Sequence, residues 1–413
     1  MPRPSLTIVL PTRERHDTLR WALETCVSQD YDRLEIIVSD NASRDQTREV
    51  VEAVGDPRVR YLNTGRPMSM TENWEFALAH ATHDYVGYLG DDDGLMPGAA
   101  GDLSEILAGG EAALRWPVHA YYWPSYVDPS LANCLSMRFR QPYGTVPRRS
   151  AEVLPEVAAF RAHAHQLPSL YWGVVKRSLL DSVRQRSGGA FFHSVIPDIY
   201  SGIVVAGSVD TYLSTDRIYS LSGSSGHSTG ASQVTGAGND AEDSPAQRFE
   251  AENSIPFHPA LRMTAALPVL VGEPLLQAHD RFASVPEVDI SALLDAVLRD
   301  RDYLLNPRVR DSVHATLRQI AVQHGLGEHL EHELARERRG ATARMGLAAA
   351  DLILRGNPIV PCGEGVTNIY EATLLADRLR TRSAASAAVA TFRGRAEKLR
   401  RAGSAHRSRT AVD

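Results

Sequence analysis

The first hundred residues alternate short apolar runs with amphipathic stretches, and each apolar run stops at a polar cluster. Residues 5–10 (S-L-T-I-V-L), 34–39 (L-E-I-I-V-S), 59–62 (V-R-Y-L) and 85–89 (Y-V-G-Y-L) read as strands. Between them, residues 17–28, 45–54 and 71–81 place apolar side chains at helical spacing, with Asp17 or Thr18 the expected N-cap of the first helix. Strands and helices alternating in this way build βαβ units with right-handed crossovers. The expected class is therefore α/β, a mostly parallel, Rossmann-like sheet flanked by helices. Ligands of such sheets sit beyond the carboxyl ends of the strands, which is where the polar clusters fall.

The rest of the 413 residues sets the outer bounds. A 43% hydrophobic and 23% charged composition excludes a wholly disordered, collagenous or coiled-coil chain. No apolar run approaches the roughly 20 residues that cross a bilayer, and Met-Pro-Arg-Pro-Ser runs straight into the first strand, so neither a span nor a secretory leader is expected. Cys26, Cys134 and Cys362 lie far apart without C-x-x-C spacing, which favours neither a disulfide framework nor a zinc site. Together these features point to the cytoplasm. A net charge of -6 speaks against a nucleic-acid partner, yet from residue 376 onward ten Arg or Lys face three Asp or Glu. That basic tail suggests peripheral contact with a membrane or an anionic partner, or self-association through the C-terminal region. Residues 1–250 are expected to form one α/β domain, with a mobile Gly/Ser-rich lid at about 220–245. Residues 251–413 are expected to be mainly helical, at 290–298, 309–324, 328–338 and 374–401.

The strongest single feature is Gly90-Asp91-Asp92-Asp93, directly after a buried strand. Adjacent carboxylates repel one another, and a divalent cation relieves the repulsion; oxygen donors suit Mg2+ or Mn2+, with substrate phosphates completing the shell. Asp40, ending the second strand, can accept from a base N–H or a ribose hydroxyl, or can cap the following helix together with Asp45. Pro11, Thr12, Arg13 and Arg15, ending the first, offer hydroxyl, backbone and guanidinium donors to a base or phosphate.

Three stretches taken together, T-I-V-L-P-T-R-E-R, E-I-I-V-S-D-N-A-S-R-D-Q-T and D-Y-V-G-Y-L-G-D-D-D-G-L-M-P, resemble the N-terminal half of family 2 glycosyltransferases with the GT-A fold. The resemblance covers roughly residues 5–98 and weakens toward 230. It implies an inverting transfer of a sugar from a nucleotide diphosphate donor, assisted by Mn2+ or Mg2+. Pro11, Thr12 and Arg15 match the turn that holds the nucleoside, Asp40 the acid that contacts the base, and Asn73 a polar residue in the helix before the acidic motif. Many relatives read D-x-D-D, and Gly90 stands at the first of those positions. In that register Asp92 is the metal carboxylate and Asp93 follows it; in the other, Asp91 and Asp93 form the pair. Both registers stay open.

The general base that inversion requires is assigned to Asp198, after the turn F-F-H-S-V-I-P, with a helix cap as the competing role. Asp210 and Asp216 are weaker candidates. His227, in the Gly/Ser-rich segment, is a third metal ligand by the same resemblance, and Tyr171 and Trp172 are placed on the acceptor side. The expected function is thus a metal-dependent glycosyltransferase. Its donor is guessed to be of the UDP or dTDP type, and its acceptor is a saccharide, a lipid-linked saccharide or a small molecule. The alternatives are a nucleotidyltransferase, disfavoured because the P-T-R-E-R turn has no glycine, and a glycan- or nucleotide-binding module without chemistry.

Overall fold

The computed structural model describes residues 3–137, 144–226, 252–299, 307–341 and 359–380. The series expected for the first hundred residues forms: β1 (Leu6–Thr12), α1 (His16–Val27), β2 (Leu34–Asp40), α2 (Thr47–Val54), β3 (Val59–Asn63), α3 (Met70–His80) and β4 (Tyr85–Tyr88). There follow β5 (Gly94–Leu95), α4 (Ala99–Ile106), β6 (Ala113–Arg115), β7 (Ala120–Tyr122), β8 (Cys134–Ser136), β9 (Thr145–Arg149) and α5 (Ser150–Ala158). Next come β10 (Gly173–Lys176), α6 (Arg177–Arg186), α7 (Pro197–Ala206), β11 (Thr211–Thr215) and β12 (Ser220–Ser224). The C-terminal part adds α8 (Leu267–His279), α9 (Ile290–Arg299), α10 (Pro307–Gln323), α11 (Gly327–Ala341), β13 (Ile359–Pro361) and α12 (Ile369–Arg380).

The main sheet runs β3-β2-β1-β4-β10-β6-β11-β9. Its first four strands are parallel, β10 is antiparallel to both β4 and β6, β11 is parallel to β6, and β9 closes the edge antiparallel. The carboxyl ends of β1, β2, β4, β6 and β11 therefore share one edge with the start of β10. A smaller sheet, β13-β8-β7-β12-β5, packs beside it. Because side chains alternate along a strand, Leu6, Ile8 and Leu10 of β1 enter one core with α1, α4 and α12, while Val9 enters the other with α3 and α5 to α11. Both faces are covered, which is why these strands read as near-continuous apolar runs.

Three expectations need correction. Helix α1 starts at His16 with Arg15 in the N-cap position, and Asp17 lies inside its first turn. The capping acceptor comes from elsewhere: Asp45 accepts the His16 N–H at 3.1 Å through one oxygen and the Thr47 N–H at 3.0 Å through the other. The final helix, expected over 374–401, begins at Ile369 and is described to Arg380; the basic tail beyond it lies outside the described residues. Residues 220–224, expected to start a lid, are instead strand β12, with Ser220 and Leu221 buried against β5.

The boundary expected near residue 250 separates no two cores. Val9, Ile37 and Tyr88 of the main sheet share one cluster with Val269, Leu275, Leu293, Leu317 and Leu330. Helix α8 lies along α7, and the buried Glu273 on it accepts hydrogen bonds from Ser194, in the turn before α7, and from Gln277 at 2.9 Å. Among the described residues no helix is long and apolar enough to cross a membrane.

A chain ending at residue 252 uncovers the apolar face formed by Ile203, Val204 and the α3 side of the sheet. We expect it to lose its cooperative thermal transition and to bind a hydrophobic dye; a sharp transition retained by the truncated chain would show that the N-terminal part folds alone.

Candidate active site

The polar clusters meet at the carboxyl edge of the sheet. Register sets Thr12 of β1 opposite Asp40 of β2, and β4 enters the acid turn between them and β10. The Thr12 hydroxyl donates to Asp91 at 2.8 Å, and the Arg15 guanidinium bonds the other Asp91 oxygen at 3.0 Å. The first turn and the acid turn are thus one bonded unit. Burial raises the Asp91 pKa and Asp92 adds to the rise, while Arg15 and Thr12 pull it back down. Arg13 does not join this unit; it pairs with Glu252 at 2.5 Å, and Pro11 lies half-buried at the strand end.

Asp40 is buried and well supplied with donors: the Ser43 N–H at 2.9 Å on one oxygen, the Tyr61 hydroxyl at 2.6 Å and the Asn63 amide at 2.9 Å on the other. Tyr61 and Asn63 escape a sequence reading; the available signal is their spacing of two on β3, which puts both on the face toward the β2 terminus. Asn73 accepts from the Ser39 hydroxyl at 2.6 Å and donates to the Ser39 carbonyl at 3.3 Å. It fixes the end of β2 from α3, and its bonding is spent on the protein.

Asp93, expected to hold a metal, accepts three hydrogen bonds from the fold. One oxygen accepts the Gly223 N–H at 2.6 Å, the other the Gly90 N–H at 3.0 Å, and the Tyr171 hydroxyl also bonds this carboxyl group. Burial and the neighbouring Asp92 push Asp93 up to about 7 against the effect of those bonds. Gly90 explains its own presence: a Cβ there would stand 2.8 Å from the Tyr171 hydroxyl and 2.9 Å from an Asp93 oxygen. The acid that many D-x-D-D motifs carry at this position would displace both. Gly223 is equally constrained, since a Cβ on it would overlap the Asp92 carbonyl oxygen. Asp92 accepts the Ser225 hydroxyl at 2.8 Å through its carboxylate and the Trp123 indole N–H at 2.9 Å through its carbonyl. Strand β12 is thereby pinned to the acid turn. Ser225, Gly223 and Trp123 lie far from the acid turn in sequence and carry no motif.

Asp198 lies in the first turn of α7, near enough for its charge to act on the Tyr171 hydroxyl. Burial raises its pKa, opposed by backbone N–H bonds at the helix start, and the Tyr171 hydroxyl senses both Asp93 and Asp198. The N-cap position belongs to Ile196, so Asp198 does not occupy it. Tyr171 packs against Trp172 with ring centroids 4.6 Å apart and against Trp74 at 6.0 Å. His227 and residues 228–245 of the expected lid lie outside the described residues. Among the described residues no three His, Cys, Asp or Glu side chains converge as a metal set.

Comparison with known proteins reaches the same region. Residues 7–145 match the family model described as Glycosyl transferase family 2. A GalNAc(5)-diNAcBac-PP-undecaprenol beta-1,3-glucosyltransferase of Campylobacter jejuni is 36% identical over 105 residues, 25% of this chain and 34% of that protein. A putative colanic acid biosynthesis glycosyl transferase, WcaA of Escherichia coli, is 29% identical over 107 residues, 25% of this chain and 37% of its own length. The chain thus spans little more than a third of these relatives. Among solved structures, S. aureus TarS 1-349 aligns with a TM-score of 0.41 at 14% identity, over 78% of this chain and 92% of that one. A mannosyltransferase from Pyrobaculum calidifontis aligns at 0.40 and 16% identity, over 81% and 87%.

The Asp93 environment has a measurable consequence. Its folded pKa of about 7 exceeds its ordinary 3.8, so the protonated form is favoured in the fold and stability is lost as pH rises from about 4 to 7. In chelator, Asp93→Asn should gain on the parent chain over that interval by about 2–4 kcal/mol, and the difference should level off above pH 7. Urea denaturation across the pH series measures it, and a difference independent of pH would contradict the assignment.

Proposed function

We propose that this chain transfers a sugar from a nucleotide-diphosphate donor to an acceptor hydroxyl with inversion, using Asp198 as general base, a reading supported by the match of residues 7–145 to the Glycosyl transferase family 2 model. The observation that supports the reading is the bonded unit of Thr12, Arg15 and Asp91 at the strand edge, with Tyr171 bonded to Asp93 beside it and within the field of Asp198.

Each part of the edge fits a task. Asp40 has roughly four lone-pair sites, and Ser43, Tyr61 and Asn63 use three; the remaining one suits a base N–H or a ribose hydroxyl. A uridine- or thymidine-type nucleoside presents such an N–H. The acid turn fits a divalent cation: it gathers three buried carboxyl groups as oxygen donors, and among the described residues the guanidinium bonded to them is that of Arg15. Asp92, with Asp91 and Asp93 on either side, is the side chain that would lead in holding Mn2+ or Mg2+. When bound, such an ion offsets the charge of a leaving diphosphate.

Asp198 performs the proton transfer. Its raised pKa makes it a stronger base than an exposed carboxylate, and its charge acts on the Tyr171 hydroxyl that bonds Asp93. It accepts the acceptor hydroxyl proton while that oxygen bonds the anomeric carbon and the carbon–oxygen bond to the diphosphate breaks on the opposite face. One configuration therefore gives the other, with no covalent enzyme intermediate. Trp172 and Tyr171 provide aromatic faces on the acceptor side.

Incubation with nucleotide sugars and Mn2+, following slow donor hydrolysis, tests the reading. Asp198→Asn should lower turnover by at least about 100-fold while donor affinity holds; Asp92→Asn should weaken cation-dependent binding of the nucleoside diphosphate. Turnover should fall as pH drops through the raised Asp198 pKa, above the ordinary carboxylate range, because the base is then protonated. Full turnover in Asp198→Asn would remove the base assignment.

A further inference from the structure

A row of hydrogen-bond donors lies beside the acid turn and serves none of these steps. Register pairs Arg148 of β9 with Tyr212 of β11, and Ser214 of β11 with Arg115 of β6. Tyr212 and Ser214 are two apart on one strand, so all four side chains stand on the same face of the sheet. The 3-10 turn Ala164–Gln166 lies over that face: the Gln166 carbonyl accepts the Tyr212 hydroxyl at 2.7 Å, and the His165 ring meets Trp172 edge-on at 4.5 Å. Trp172 is tied to the same place, because its carbonyl accepts the Trp116 N–H at 3.0 Å and Gly173 pairs with Arg115.

Arg115 is the centre of the row. Its guanidinium donates to the Ser214 hydroxyl at 3.1 Å and the Trp116 carbonyl at 3.0 Å, both neutral, and among the described residues its buried Nε has no partner. The Trp172 indole N–H is a second buried donor without one. Desolvation lowers the Arg115 pKa; Tyr212 raises it, Arg148 lowers it again with its positive field, and Asp216 raises it more weakly. A cation taken from water with neutral partners only, and a second cation beside it, is costly unless an anion completes the set. Water would satisfy the donors but carries no charge. The row also begins where the acid turn ends: Tyr171, bonded to Asp93, packs on Trp172, and β6 and β11 lie on the side of β4 away from Asp40.

We propose that Arg115, Arg148 and Trp172 form a subsite for an anionic group, phosphate or carboxylate, carried by the acceptor glycan. The word acceptor rests on the transferase reading; the anion site itself does not. It assigns to this chain a charged saccharide in preference to a neutral one, with the charged group held on the β6–β11 side while a hydroxyl reaches Asp198.

Calorimetry of the full chain in chelator, without donor, separates the two readings. Glucose 6-phosphate and glucuronate should bind, and glucose at least about tenfold more weakly; which anion binds tighter distinguishes a phosphate-bearing from a carboxylate-bearing acceptor. Arg115→Met should weaken the better anion about tenfold, and Arg148→Ala and Trp172→Phe about threefold each. Should Arg115→Met fail to fold, the exposed Arg148 and the ring-preserving Trp172→Phe carry the test. UDP with Mn2+ should not displace the sugar. Equal binding of glucose, indifference to Arg148→Ala and Trp172→Phe in folded protein, or displacement by UDP with Mn2+ would each overturn the subsite. Anion binding that persists in a chain without sugar transfer would instead remove the transferase reading and leave the subsite standing.

Discussion

Burying three consecutive carboxylates is the constraint around which this molecule is arranged. Asp91, Asp92 and Asp93 are all nearly inaccessible to solvent, and each is met by a different part of the chain. Thr12 and Arg15 come from the end of β1, Gly223 and Ser225 from β12 and its exit, and Tyr171 from the approach to β10. The cost of desolvating the acids is offset by bonds that tie both sheets and both halves of the main sheet to one turn. Order at the edge of the sheet thus follows from the need to satisfy charge, with shape coming second.

The parallel half was legible because its physics is local. Apolar strand runs, helical spacing and polar strand ends placed β1 to β4 and α1 to α3 within a residue or two, and the acid run stood out at once. What escaped was whatever depends on partners remote in sequence. Helix α8 contains Pro268, Gly272 and Pro274, residues that argue against a helix; Pro268 falls in the first turn, where a missing N–H costs nothing, and Gly272 admits the close approach of Leu293. Strand β12 read as a flexible Ser/Gly segment because its order is imposed by β5, β7 and two aspartates.

Within the site the same division holds. Residue types and their strand ends singled out Thr12, Arg15, Asp40 and Asp91. Their bonds could not be read, and those bonds separate side chains that face a ligand from side chains that serve the frame. Asn73 belongs to the frame through Ser39, and Asp93 is bonded to it through Gly90 and Gly223. Tyr61, Asn63 and Ser225 carry no motif, yet they orient the acids that do. The C-terminal helices belong to this account as well. They close the second face of the sheet, and Glu273 reaches the turn that leads to Asp198.

The missing side chain at position 90 binds two distant choices together. Tyr171 delivers its hydroxyl to Asp93 beside the space a Cβ at 90 would take, so a side chain at 90 would push that hydroxyl and the Asp93 carboxyl group aside. The hydrogen bond that joins the acid turn to β10 therefore depends on the smallest residue at 90 as much as on the tyrosine at 171.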